Sequence, residues 1–230
     1  MAPFPTTRWT RIQQAESAPE RRALLSELLG VYWRPLYVWL RQKGLPPAAA
    51  EDAVQGLAAR LLETDVLARL DPGRGRLRGY LKTALQNHLH REHERAGAQK
   101  RGEGQVLSLD LSGVEAQLGD GREGPDAAFD RAWAQATFDR ALARLRDEHE
   151  AERRAGPFSL IQAYFQLAPE ASNAALAEAH GLSPSQLKSL LHRARARFRA
   201  LLAQEIADTL HDPTPEQVQE ELDALARCLS

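Results

Sequence analysis

Apolar residues recur along this chain at intervals of three and four, and strict two-residue alternation is nearly absent. That spacing predicts helices and almost no strand. Residues 21–29 carry a stripe through Leu24, Leu25 and Leu28. Residues 31–43 continue it with Tyr32, Leu36, Trp39 and Leu40, and Pro35 is expected to kink or restart the helix there. Pro46 and Pro47 open a third helix over 48–63, with Ala50, Val54, Leu57, Leu61 and Leu62 inward. A turn follows at Asp71-Pro72-Gly73. A fourth helix is predicted from about 78 to 95, with Leu81, Ala84, Leu85 and Leu89 on one face.

The pattern then changes. Gly97, Gly102, Gly104, Gly113, Gly119, Gly121 and Gly124 fall among many acids and few large apolar residues. This composition predicts a flexible acidic linker, with a short ordered patch allowed at 106–111. Helical spacing resumes at 129–146 through Trp133, Ala136, Phe138, Leu142 and Leu145, and at 157–167 through Phe158, Ile161, Tyr164 and Phe165. Pro213 and Pro215 break the chain before an amphipathic stretch over 216–229, with Val218, Leu222, Leu225 and Leu229 on its stripe. The expected class is all-α, with two small helical domains. The predicted divisions are an N-terminal segment 1–20, a bundle 21–101, the linker 102–128, a second domain 129–210 and an acidic tail 211–230.

Residues 173–199 carry the most chemistry. They read as two short helices joined by a tight turn, the arrangement of a DNA-binding helix-turn-helix. Ala177 is small where the helices cross, and Gly181 stands where the turn needs positive φ. Leu182 fills the gap below, and Leu187 and Leu190 face inward. Ser183 is suited to be the N-cap, Pro184 suits the first turn, and Gln186 completes an S-x-x-Q capping box. Leu187, Leu190, Leu191 and Ala194 form the apolar stripe. The opposite face holds Ser185, Gln186, Lys188, Ser189, His192, Arg193 and Arg195, and no acid interrupts residues 185–203. Short polar residues near a helix start reach base edges, and arginines further along neutralise phosphates. An ordinary helical hairpin with a solvated basic face is the plainer alternative.

Across all 230 residues the net charge of −1 says nothing about nucleic acid, but its distribution does. Arg74, Arg76, Arg78, Lys82, Arg91, Arg95, Lys100 and Arg101 face only Glu92 and Glu94 within 74–101. The following stretch to Asp130 is acidic, the 185–203 region is basic, and the tail is acidic again through Glu205, Asp208, Asp212, Glu216, Glu220, Glu221 and Asp223. A single cysteine, Cys228, excludes an intrachain disulfide and a cysteine-based zinc site. No apolar run reaches membrane-spanning length and no leader pattern opens the chain, so a cytoplasmic protein with no membrane partner is expected. His88, His90 and His93 have spacings that point at least one ring away on a helix, so no metal is expected there. No nucleophile–base motif and no phosphate-binding loop is present, so neither an enzyme nor a cofactor is expected.

Three passages resemble the bacterial RNA polymerase sigma factors of the extracytoplasmic-function type, in particular their ECF-like branch. Residues 32–63 look like the start of sigma region two. Residues 73–101, GRGRLRGYLKTALQNHLHREHERAGAQKR, look like its promoter-melting part, and 174–202 look like region four. Thr7-Arg8-Trp9 resembles the opening of the same branch. The resemblance implies a transcription initiation factor with core RNA polymerase and promoter DNA as partners, and leaves room for an anti-sigma factor or other regulatory protein. It implies minus-thirty-five reading by the helix-turn-helix. It implies minus-ten contacts by Arg74, Arg76, Arg78, Lys82, Asn87, His88, Arg91 and Arg95, where the cations hold phosphates and the Asn87 amide reads a base edge. It implies polymerase contact through Glu51, Asp52, Gln55, Ala59 and Arg60. One departure stands out. Asp52, Val54 and Gln55 match, but Gly56 and Leu57 replace an acid and a bulky aromatic, and a mid-helix glycine costs about 1 kcal/mol against alanine.

Two rival readings remain open: a stand-alone helix-turn-helix regulator, and a sigma-like protein-interaction adaptor. The acidic tail is expected to cap the second domain. The sharper alternative is that tail or linker covers a basic surface and holds the free protein inactive, because their charges are complementary.

Overall fold

In a computed structural model every described element is an α-helix, and no strand occurs among the described residues. The description covers residues 11–12, 14–64, 77–96, 123–151, 158–166, 177–178 and 180–229, with the backbone alone at 93–96 and 163–166. The expected linker up to 122 lies outside it, as do Arg74 and Arg76. The helices are α1 (Ala18–Leu29), α2 (Trp33–Gln42), α3 (Pro47–Thr64), α4 (Leu77–Ala96), α5 (Pro125–Ala151), α6 (Phe158–Gln166), α7 (Pro184–Ala207) and α8 (Pro215–Leu229).

Local chemistry sets several of these boundaries. Before α1, Ser17 accepts the Glu20 N–H at 3.3 Å. Before α8, Thr214 and Gln217 form a reciprocal capping box at 2.9 and 3.3 Å. Pro35 marks a restart, one of the two expected outcomes: the helix begins anew at Trp33, and Pro35 falls in the first turn of α2, where its missing N–H is not needed. That helix ends at Gly44, whose φ of +90° permits a Schellman turn: Leu45 N–H reaches the Leu40 carbonyl and Gly44 N–H that of Arg41. One expectation needs correction. The expected linker runs to 128, but α5 starts at Pro125, with the Ala128 N–H bonded to the Gly124 carbonyl. Proline in the first turn makes a start inside a glycine-rich stretch favourable.

The chain divides into two compact units, Met1–Ala136 with Ile206–Ser230, and Thr137–Glu205. The tail, expected to cap the second domain, groups with the first unit. In the first unit α3 packs against α1, α2 and α4. Leu28, Leu40, Ala50, Leu81, Leu85, Phe129 and Trp133 are fully enclosed there or nearly so. Burying each large apolar side chain contributes about 1.5–3 kcal/mol. In the second unit Leu160, Ile161, Leu187 and Leu201 are buried, and the Phe138 and Phe198 rings meet edge to face at 4.9 Å. The Glu205 carboxylate, also buried, receives Arg140 at 3.1 Å and Arg144 at 2.8 Å.

Candidate nucleic-acid interface

The second unit holds the turn and helix that the sequence singles out. Gly181 has φ +62°, and Leu182 N–H bonds the Ala177 carbonyl at 2.9 Å while Gly181 N–H bonds that of Glu178 at 3.1 Å. This is the Schellman geometry, and it needs a residue free to adopt a left-handed conformation. The next helix starts two residues on. Gln186 N–H donates to Ser183 Oγ at 3.2 Å, and Ser183 N–H donates to Gln186 Oε1 at 2.8 Å, so the capping box is closed in both directions. With entry angle and first turn fixed, Leu187, Leu190, Leu191, Ala194 and Phe198 are buried along one face of α7, and Ala177 is buried beside the turn.

The opposite face consequently points outward. Ser185, Gln186, Lys188, Ser189, His192, Arg193 and Arg195 are all exposed. Arg193 donates to Ser189 Oγ at 3.1 Å, one turn back. Arg197 belongs to the scaffold: its guanidinium makes a two-pronged pair with the Glu148 carboxylate, at 2.7 and 2.6 Å. Ser185 and Gln186 open the face and cations follow from Lys188 onward, with a buried stripe along the opposite side.

The first unit presents a different picture. Arg78 reaches Glu221 of α8 at 3.0 Å and lies over the Trp133 ring at 4.8 Å. Lys82 meets Asp126 at 2.7 Å and lies over the Phe129 ring at 5.0 Å. Asp126 also accepts from Trp39 Nε1 at 3.2 Å. The hydrogen bond from Lys82 holds the Asp126 carboxyl below its ordinary range, against a smaller opposing effect of burial. Glu221 and Asp126 are the residues sequence reasoning missed. Their only advance signal was the complementary charge of tail and basic helix. Around Arg78, residues Tyr32, Leu77, Trp133, Thr209, Leu210 and Glu221 line a cavity of about 10 Å³, roughly room for one water. Burial pushes the Tyr32 phenol up to about 12, with hydrogen bonding to Thr209 opposing it.

Further along α4, Asn87 is exposed and Arg91 half-buried, while Arg95 is described by its backbone position alone. His88 is half-buried, and a Cβ built on Gly56 would lie 2.6 Å from its Nε2. The glycine in α3 thus gives the histidine ring of α4 its seat. On α3, Asp52 is exposed, while Glu51, Gln55, Ala59 and Arg60 are half-buried, and Gln55 donates to Glu51 at 3.0 Å. Burial raises the Tyr80 phenol against the charge of Arg60 nearby. Among the described residues no group of three or more histidines, cysteines or acids is placed to hold a metal, and no helix is long and apolar enough to cross a membrane. No protein-family model, no curated protein and no solved structure matches this chain.

Proposed function

We propose that this chain is a transcription initiation factor of the extracytoplasmic-function sigma type. In this reading the exposed face of α7 enters the major groove of an upstream promoter element. Ser185, Gln186, Lys188 and Ser189 meet base edges, while His192, Arg193 and Arg195 meet the backbone. The exposed part of α4 around Asn87 acts on the downstream element, and α3 offers Glu51, Asp52, Gln55, Ala59 and Arg60 to core polymerase. The observation that supports it most is the α7 entry: positive-φ glycine, Schellman turn and closed capping box all serve to aim one polar, cationic helix face outward. Gly56 is consistent with this reading, since packing of His88 accounts for it without any loss of the α3 surface.

A stand-alone helix-turn-helix regulator is the second reading. The engagement of Arg78 and Lys82 by carboxylates of the same unit favours it. Copurification decides between them. The initiation-factor reading expects the tagged full chain to retain core RNA polymerase, and charge reversal at Asp52 to weaken that retention. Duplex binding with no retained polymerase would leave the regulator.

A further inference from the structure

We infer that α8 is a gate on the cationic face of α4, with Glu221 occupying Arg78 in the place a nucleic-acid phosphate would take. The inference rests on reading α4 as a nucleic-acid-binding helix and adds how that helix is controlled. Arg78 and Lys82 stand one turn apart on one face. Each is already held by a carboxylate, Glu221 at 3.0 Å and Asp126 at 2.7 Å. The side chain of Arg78 is 15% exposed and that of Glu221 is 5% exposed, so the pair lies out of reach of a ligand.

The position of Glu221 makes the contact informative. Val218, Glu221 and Leu225 are the buried residues of α8, spaced as one apolar stripe. A carboxylate therefore sits where an amphipathic helix ordinarily places a leucine. A buried ion pair is a poor way to gain stability, because an apolar residue of similar volume commonly does as well or better. A carboxylate does match the planar fork of a guanidinium as a phosphate does, and can be exchanged for one. Beside Glu221, the apolar packing of α8 is Val218 and Leu225, both buried, and Leu222, half-buried, while Leu229 remains exposed. Before it lies Asp212, with φ +42°, and then Pro213 and Pro215, a junction that separates the helix from α7. A terminal helix joined through such a junction can leave its seat without unfolding the helices before it.

The test uses the full chain and a fluorescein-labelled single-stranded DNA 20-mer, with binding read by anisotropy at low salt. Lys188→Ala and Arg193→Ala are present throughout to quiet the second unit. Glu221→Gln is expected to bind about tenfold more tightly than this background, and adding Arg78→Gln is expected to remove the gain. Equal affinity with and without Glu221→Gln overturns the gate. Should Glu221→Gln not fold, hydrogen exchange on the unmodified chain decides. Saturating oligonucleotide is expected to speed exchange across Pro215–Leu229, and unchanged protection there overturns the inference. Failure of the initiation-factor reading shows separately, as absence of retained polymerase while the gain from Glu221→Gln persists.

Discussion

Tyr32 shows how much a single buried group can govern. Its phenol is enclosed beside Arg78 and Thr209, and its pKa rises from 10.0 to about 12 because burial penalises the phenolate. In the unfolded chain the same phenol ionises near 10, so the unfolded state loses its proton first. Stability is therefore full below pH 10 and declines as pH climbs toward 12, by roughly 1.4 kcal/mol per pH unit. Urea unfolding between pH 9 and 12 is expected to show this decline in the native chain and its loss in Tyr32→Phe; parallel declines would contradict the assignment. Residues of this kind were only half legible in the sequence. Tyr32 reads correctly as a helix-stripe residue, but nothing local to it announces Thr209 or Glu221, which are far along the chain. Gly181 was legible in full, because a single backbone conformation dictates it.

At the scale of helices, boundaries set by caps were readable and contacts between helices were not. The box of Ser183 and Gln186 could be recognised from four residues, and it forms. The box of Thr214 and Gln217 carries the same signature and forms in the same way. The seat of His88 on Gly56 needs the register of α3 against α4, which no stripe pattern specifies. It yields a prediction with a definite sign. Gly56→Ala alone forces the His88 ring aside and forgoes much of alanine's helix preference. In a His88→Ala background the same change is expected to stabilise by about 1 kcal/mol. A thermodynamic cycle of the four proteins measures this, and additive effects would contradict the contact. For α7, Arg193→Ala is expected to weaken duplex binding on all sequences and to reduce the slope of log K against log salt by about 0.9. Gln186→Ala is expected to change sequence preference, since its place in the first turn of the helix suits base contact. A uniform loss across sequences from Gln186→Ala would reassign it to capping alone.

For the whole molecule, charge distribution carries more meaning than net charge. The second unit exposes Lys188, Arg193 and Arg195 along α7, and the first unit pairs Arg78 and Lys82 with its own acids. Sequence reading located both basic segments but could not show which cations the first unit occupies, because Lys82 and Arg78 are met by carboxylates 44 and 143 residues away in the chain. Trp133 and Phe129 read as the start of a second core, whereas they close the first over Arg78 and Lys82. Run-off synthesis by core RNA polymerase on a library of promoter fragments tests the proposed initiation role most directly. The chain and its Glu221→Gln form are added in parallel. The account expects discrete transcripts that share upstream and downstream elements, more abundant with Glu221→Gln and less abundant with Arg193→Ala. Transcripts no different from those of core polymerase alone, with both forms present and folded, would contradict it.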